Sequence, residues 1–104
     1  METFNPIVYC HVPASPKHDK TAKYYVALGF EDWGNDDKNL VFKIQMEYNG
    51  NRQGRKVPSY PVTQSDLSSE DWKNVNRGIN LVREAYKNGE KGEIPFKSQL
   101  PKNT

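Results

Sequence analysis

The sequence predicts an α+β protein in which an antiparallel sheet of about four strands is followed by one long C-terminal helix. Two observations carry the sheet: apolar and polar residues alternate over residues 23–31 and again over 40–48, and a run rich in Gly, Asn and Asp lies between them. A third carries the helix, because Trp72, Val75, Ile79, Val82 and Tyr86 recur at the three-and-four spacing of a single apolar stripe.

Taken in order, Ile7 to Val12 is a short apolar run closed by Pro13, of strand length and too short for a globular helix. Residues 15–20 are polar and contain Pro16, so they read as a loop carrying a solvated His18. In KYYVALGFE, Tyr24, Val26, Leu28 and Phe30 share one face of a half-buried strand, while Lys23, Tyr25, Ala27 and Gly29 share the other. DWGNDDKN then turns the chain. In LVFKIQMEY, Leu40, Phe42, Ile44 and Met46 point one way and Val41, Lys43, Gln45 and Glu47 the other.

Asn49-Gly50 is a two-residue hairpin signal, which the polar residues 51–54 are expected to lengthen into a basic loop. The return through residues 56–62 contains Pro58 and Pro61, so it should be an edge or irregular strand. Ser68 is placed to cap the helix, with Asp71 at the capping-box position and Leu67 positioned to staple onto Trp72. Lys87 followed by Asn88-Gly89 ends it after about five turns. Gly78 in mid-helix is either a tolerated surface residue or the mark of a close approach by another element. Trp72, Val75 and Tyr86 are assigned to the core. The chain thus divides into an N-terminal extension (1–22), a sheet-plus-helix unit (23–89) and a loose polar tail (90–104).

Composition narrows function. With 104 residues, 35% hydrophobic, the chain builds one thin core, which a partner subunit would help to cover. A formal charge of +2 is far from that of a protein gripping duplex DNA by charge alone, whereas twelve aromatic residues suit stacking on unpaired bases. Cys10 with only His11 and His18 cannot form a Cys/His four-ligand zinc site, and a lone cysteine points to a reducing compartment. No apolar run has the length of a membrane span or the pattern of a secretion signal, which excludes a membrane partner. No catalytic triad, phosphate loop or pair of catalytic carboxylates can be assembled, so the chain reads as a non-enzyme with no cofactor.

The order strand, basic hairpin, short strand and capped helix, with LVFKIQMEYNGNRQGRKVP and LSSEDW, resembles the positive cofactor four family of single-stranded-DNA-binding transcription coactivators. The resemblance covers residues 23–82, about three-fifths of the chain. It implies a curved four-stranded sheet and a helix paired as a homodimer, holding single-stranded DNA with little sequence specificity. Tyr48 matches an aromatic at the end of the central strand, and Trp33 lies near one in the first hairpin. Lys23 resembles a basic position opening the first family strand, Gln45 stands where the family has a basic residue, and Arg55 and Lys56 resemble a basic pair after the second hairpin. Lys38, Lys43 and Arg52 join the candidate set by proximity, and Tyr25 by its outward face.

The process served would be transcription regulation, replication or recombination, with transcription or replication proteins as further partners. The setting would be bacterial or bacteriophage, cytoplasmic and nucleoid-associated or in the infected host's cytoplasm. Isolated aromatics are more often packing, and short charge clusters more often solvated loops. Two rival readings stand beside this one. A protein-interaction module, inhibitor or adaptor, would use the same sheet to bind a polymerase or recombination protein. A glyoxalase-like metal enzyme is weakly suggested by His11 on a first strand followed by TAKYYVALGFE.

Overall fold

The structure is a computed structural model, and it describes residues 3–18, 20–54 and 57–97. It is α+β: a mostly antiparallel five-stranded sheet with one C-terminal helix. The elements run β1 (Thr3–Pro13), β2 (Lys23–Asp32), β3 (Lys38–Tyr48), β4 (Asn51–Gln53), α1 (Glu70–Lys87) and β5 (Gly92–Glu93), and the sheet order is β4-β3-β2-β1-β5.

The β2–β3 hairpin follows the expected alternation. Tyr25 lies opposite Gln45, Val26 opposite Ile44 and Leu28 opposite Phe42. Between them Gly34, Asn35 and Asp36 all take positive φ, a conformation suited to Gly, Asn and Asp, and Trp33 N–H donates to the Asp37 carbonyl at 2.9 Å. The second hairpin is tighter than expected. Asn49 (φ 54°) and Gly50 (φ 80°) make a two-residue turn of the type that matches strand twist, so Asn51 pairs directly with Tyr48 and residues 51–53 become β4. Of the return strand expected over residues 56–62, the described part forms no strand: 57–63 are irregular, consistent with Pro58 and Pro61, and Tyr60 stacks on Tyr24 with ring centroids 5.2 Å apart.

β1 is much longer than the six-residue run that signals it. It pairs with β2 from Thr3 to Pro13, with a register shift between Pro6 and Val8. At that shift the β1 backbone crosses Gly29 so closely that a Cβ there would meet the Asn5 carbonyl oxygen at 2.2 Å. Only glycine fits. The tail also differs from expectation, since β5 adds to β1 in parallel, Ile94 is buried, and Ile94 N–H donates to the Tyr9 carbonyl at 2.9 Å. Residues 98–104 lie outside the described residues.

The core lies between α1 and one face of β1 and β2. Val8, Cys10, Val12, Tyr24, Val26 and Met46 meet Val75, Val82 and Ala85 there. Gly78 marks a close approach: a Cβ would lie 2.9 Å from Val12 Cγ2 and 3.3 Å from Cys10 Sγ. Because Gly78 and Asp71 belong to the buried stripe, the stripe is rotated from the expected one, and Trp72 and Tyr86 are 49% and 36% exposed. Trp72 instead packs edge-on against Tyr60.

The helix begins one residue later than expected. Ser69 is the N-cap and accepts from Trp72 N–H at 3.1 Å, while Ser68 bonds Asp66, and Leu67 is exposed at positive φ and not a staple. The helix ends after Lys87, where Gly89 has φ 77° and Glu90 N–H reaches back to the Ala85 carbonyl at 2.9 Å.

Asp71 fixes the helix start to the sheet. Its carboxylate accepts Ser15 N–H at 3.0 and 3.1 Å, and it shares the Tyr24 hydroxyl proton with the Ser59 carbonyl, each 2.7 Å away. Burial, then the bond to Asp71, raises the Tyr24 pKa above its usual value. His18 is not solvated: its Nε2 lies 3.1 Å from the Tyr24 hydroxyl and 3.2 Å from the Ser59 carbonyl. These contacts tie three separate stretches of chain to one end of α1.

Candidate nucleic-acid interface

α1 covers one face of the sheet and leaves the other uncovered among the described residues. Strand alternation sends Lys23, Tyr25 and Glu31 of β2, and Lys43, Gln45 and Glu47 of β3, to this open face. Arg52 joins them from β4, opposite Glu47, and β1 contributes Phe4, Tyr9 and His11.

Five expected site residues therefore come together: Lys23, Tyr25, Lys43, Gln45 and Arg52. Trp33 borders them, exposed at the end of the face, with its Nε1–H donating to Glu31 Oε1 at 2.8 Å. Lys38 is exposed at the start of β3 with its side chain on the helix side by alternation. Tyr48 also falls on the helix side, half-buried against the core, which separates it from Tyr25 and Arg52. Arg55 and Lys56 lie outside the described residues.

At the centre of the face is a cleft of about 320 Å³ lined by Tyr9, His11, Tyr25, Glu47 and Arg52, with Pro6 and Gly50 at its margins. Tyr25 forms its floor and is 2% exposed, because Tyr9 (ring centroids 5.2 Å apart), His11 (5.7 Å) and Arg52 close over it. The Arg52 guanidinium lies 4.5 Å from the centre of the Tyr25 ring, a cation–π contact. The buried Tyr25 hydroxyl has no hydrogen-bond partner, the guanidinium standing near it in a geometry that falls short of a bond. Burial raises the Tyr25 pKa, and Arg52 opposes part of that rise.

His11 spans three strands. Its Nε2 is 3.3 Å from Glu47 Oε2 on β3 and its Nδ1 is 3.0 Å from Glu93 Oε2 on β5. Only the imidazolium donates to both carboxylates, while the neutral ring donates to one. Each ring nitrogen is thus aimed at a separate carboxylate, and no group of three or more His, Cys, Asp or Glu able to hold a metal occurs among the described residues.

The charge of the face is locally balanced. Lys43 donates to Glu31 and also lies 5.6 Å from the Phe4 ring centre. The Lys43 hydrogen bond, then that of Trp33, holds the Glu31 carboxyl below the usual carboxylate range. Chemically the face offers rings, a guanidinium and a hydroxyl around a one-sided cleft.

Tyr9, His11, Phe4, Glu47 and Glu93 were not among the residues expected at the site. The alternation Val8-x-Cys10-x-Val12 against Ile7-x-Tyr9-x-His11 carried the signal for β1, since it separates an apolar row from a ring-bearing one. Read as a continuous apolar run, that alternation was hidden. No helix among the described residues is long and apolar enough to cross a membrane. Comparison with protein-family models, with curated proteins and with solved structures finds no match, so the functional reading rests on the geometry of this face.

Proposed function

We propose that the chain is a single-stranded nucleic-acid-binding protein that uses the open face of its sheet, as the resemblance to the positive cofactor four family suggested. The observation that carries this reading is the ring cluster Tyr9, His11 and Tyr25 with Arg52 laid over it, on the face α1 leaves bare. Rings and a guanidinium plane stack on unpaired bases without regard to sequence, each base contributing about 1–3 kcal/mol, while Lys and Arg hold phosphates.

The cleft has room for one base against Tyr9 and Arg52, and the Glu47 carboxylate beside them can bond the edge of that base. Lys23 at one end of the face, and Trp33 with Lys43 at the other, extend the track beyond a single nucleotide. Duplex DNA would not fit, because its bases are stacked away from such rings.

The test is fluorescence anisotropy of a labelled oligonucleotide, single-stranded against double-stranded, at low and near-physiological salt. The single strand should bind more tightly, with affinity falling as salt rises. Tyr9→Ala and Arg52→Ala should each weaken binding about five- to tenfold, near 1 kcal/mol, with unchanged circular dichroism. Absence of binding at low salt, or affinities indifferent to both substitutions, would overturn the reading.

A further inference from the structure

The two edges of the sheet are treated differently. Along β1 the outer edge carries Pro6, Pro13 and a register shift, and β5 covers it at Val8 and Tyr9. These are the usual devices that stop a strand edge from pairing with another chain. The β3 edge has neither Pro nor a register shift. Among the described residues β4 pairs only with Met46, Glu47 and Tyr48 and nothing pairs with residues 38–45 on that side, which contain no Pro or Gly.

Counting back in twos from Tyr48, whose backbone closes the two-residue turn with Asn51, the outward-directed peptide groups are those of Ile44, Phe42, Leu40 and Lys38. Three of those four residues are apolar, and their side chains fall on the helix side of the sheet: Ile44 packs against the core, and Phe42 lies at the margin of α1, where the Arg83 guanidinium stands 5.4 Å from its ring centre. Leu40 is 43% exposed and Phe42 40%, and Phe30, opposite Leu40 on β2, is 40% exposed. An unpaired backbone edge and an apolar row therefore occupy the same strand. Of the two charges in the stretch, Lys38 stands only at its start, and Lys43 is drawn back over the sheet by Glu31 and does not guard the edge.

We propose that the chain forms a homodimer by antiparallel pairing of this β3 edge with the same edge of a second copy, about a two-fold axis at Phe42. A second copy is the occupant that the register favours. Centred on Phe42, Leu40 of each chain lies opposite Ile44 of the other, the two Phe42 side chains face one another, and Asn39 lies opposite Gln45. Lys43 lies opposite Val41, so no like charges meet. Outward-directed residues pair only with outward-directed ones, as an antiparallel ladder requires, and the pairing stops where β4 begins. The pleat continues across the junction, giving one sheet with both helices on one side and both open faces on the other.

The proposal does not depend on nucleic-acid binding, and its test uses none. Sedimentation equilibrium of the full chain across the micromolar range should give a two-chain mass, and Phe42→Lys should reduce it to the one-chain mass with an unchanged circular dichroism spectrum. Phe42→Cys under mild oxidation should give a cross-linked dimer on a non-reducing gel. Val57→Cys, more solvent-accessible but away from the edge, should not. Cys10 is buried, its thiol pushed up to about 11 by burial and then by Glu93, so it stays out of the reaction. A one-chain mass for the native chain throughout the series, a two-chain mass retained by folded Phe42→Lys, or equal cross-linking of the two cysteine variants would each overturn it.

Discussion

At the scale of single residues, Glu31 shows how the open face holds its charges. Its carboxylate takes hydrogen bonds from Lys43 and Trp33, which favour the ionised form and depress its pKa in the folded protein. A depressed carboxylate contributes stability above its unfolded pKa, near 4.3, and loses that contribution as pH falls through the lower folded value. Glu31→Gln should therefore lower stability at neutral pH by about 0.5–1 kcal/mol, and the difference from the native chain should shrink as pH falls below about 4 and vanish once the folded carboxyl is protonated. Urea denaturation at a series of pH values checks this; a gap that persists into acid would mean that the substitution acts through packing.

At the scale of elements, the closest packing is between α1 and β1. Replacing a mid-helix glycine with alanine favours an isolated helix by about 1 kcal/mol. At Gly78 the added methyl would press on Val12 Cγ2 and Cys10 Sγ, and a β-branched side chain in a filled core has little room to yield. Gly78→Ala should therefore destabilise the protein by about 1–3 kcal/mol despite the helix gain, read as a lowered thermal or urea midpoint. Stabilisation would show that the helix can move away from the strand.

The helix was legible in the sequence as an element but not as an orientation. Its span follows from a cap, a stripe and an Asn-Gly stop, all local, whereas its buried side depends on what lies beneath it. Gly78 lets β1 in close, which rotates Trp72 and Tyr86 outward, and spacing alone could not show this. Similarly, the alternation in β3 put Lys43 and Gln45 on one face, which strand pairing joins to that of Tyr25 and Lys23, but nearness in sequence placed Tyr48 with Arg52, and the pleat puts them on opposite faces.

At the scale of the whole molecule, residues 90–97 are part of the fold. Ile94 is buried in the core cluster, β5 lies against β1, and Arg77 Nε–H donates to the Lys97 carbonyl at 2.9 Å. Ile94→Ala should cost about 2–3 kcal/mol of unfolding free energy in urea titration, as expected for removing a buried aliphatic side chain. A cost near zero would mean that this segment does not stay docked in solution. Glu93, beside Ile94, brings the same segment to the candidate interface through His11, so the fold and the open face share one tether.

By itself the sequence determined the α+β class, the β2–β3 hairpin, the faces of those two strands, and a helix of about five turns, because each depends on side-chain period and turn chemistry within a few residues. Only the tertiary structure decided the full length of β1, the addition of β5, the two-residue β3–β4 turn with its free edge, and the gathering of Tyr9, His11, Tyr25 and Arg52 into one cleft. Those features arise where distant segments meet, and whether a ring is floor, wall or core is set by the neighbour that covers it.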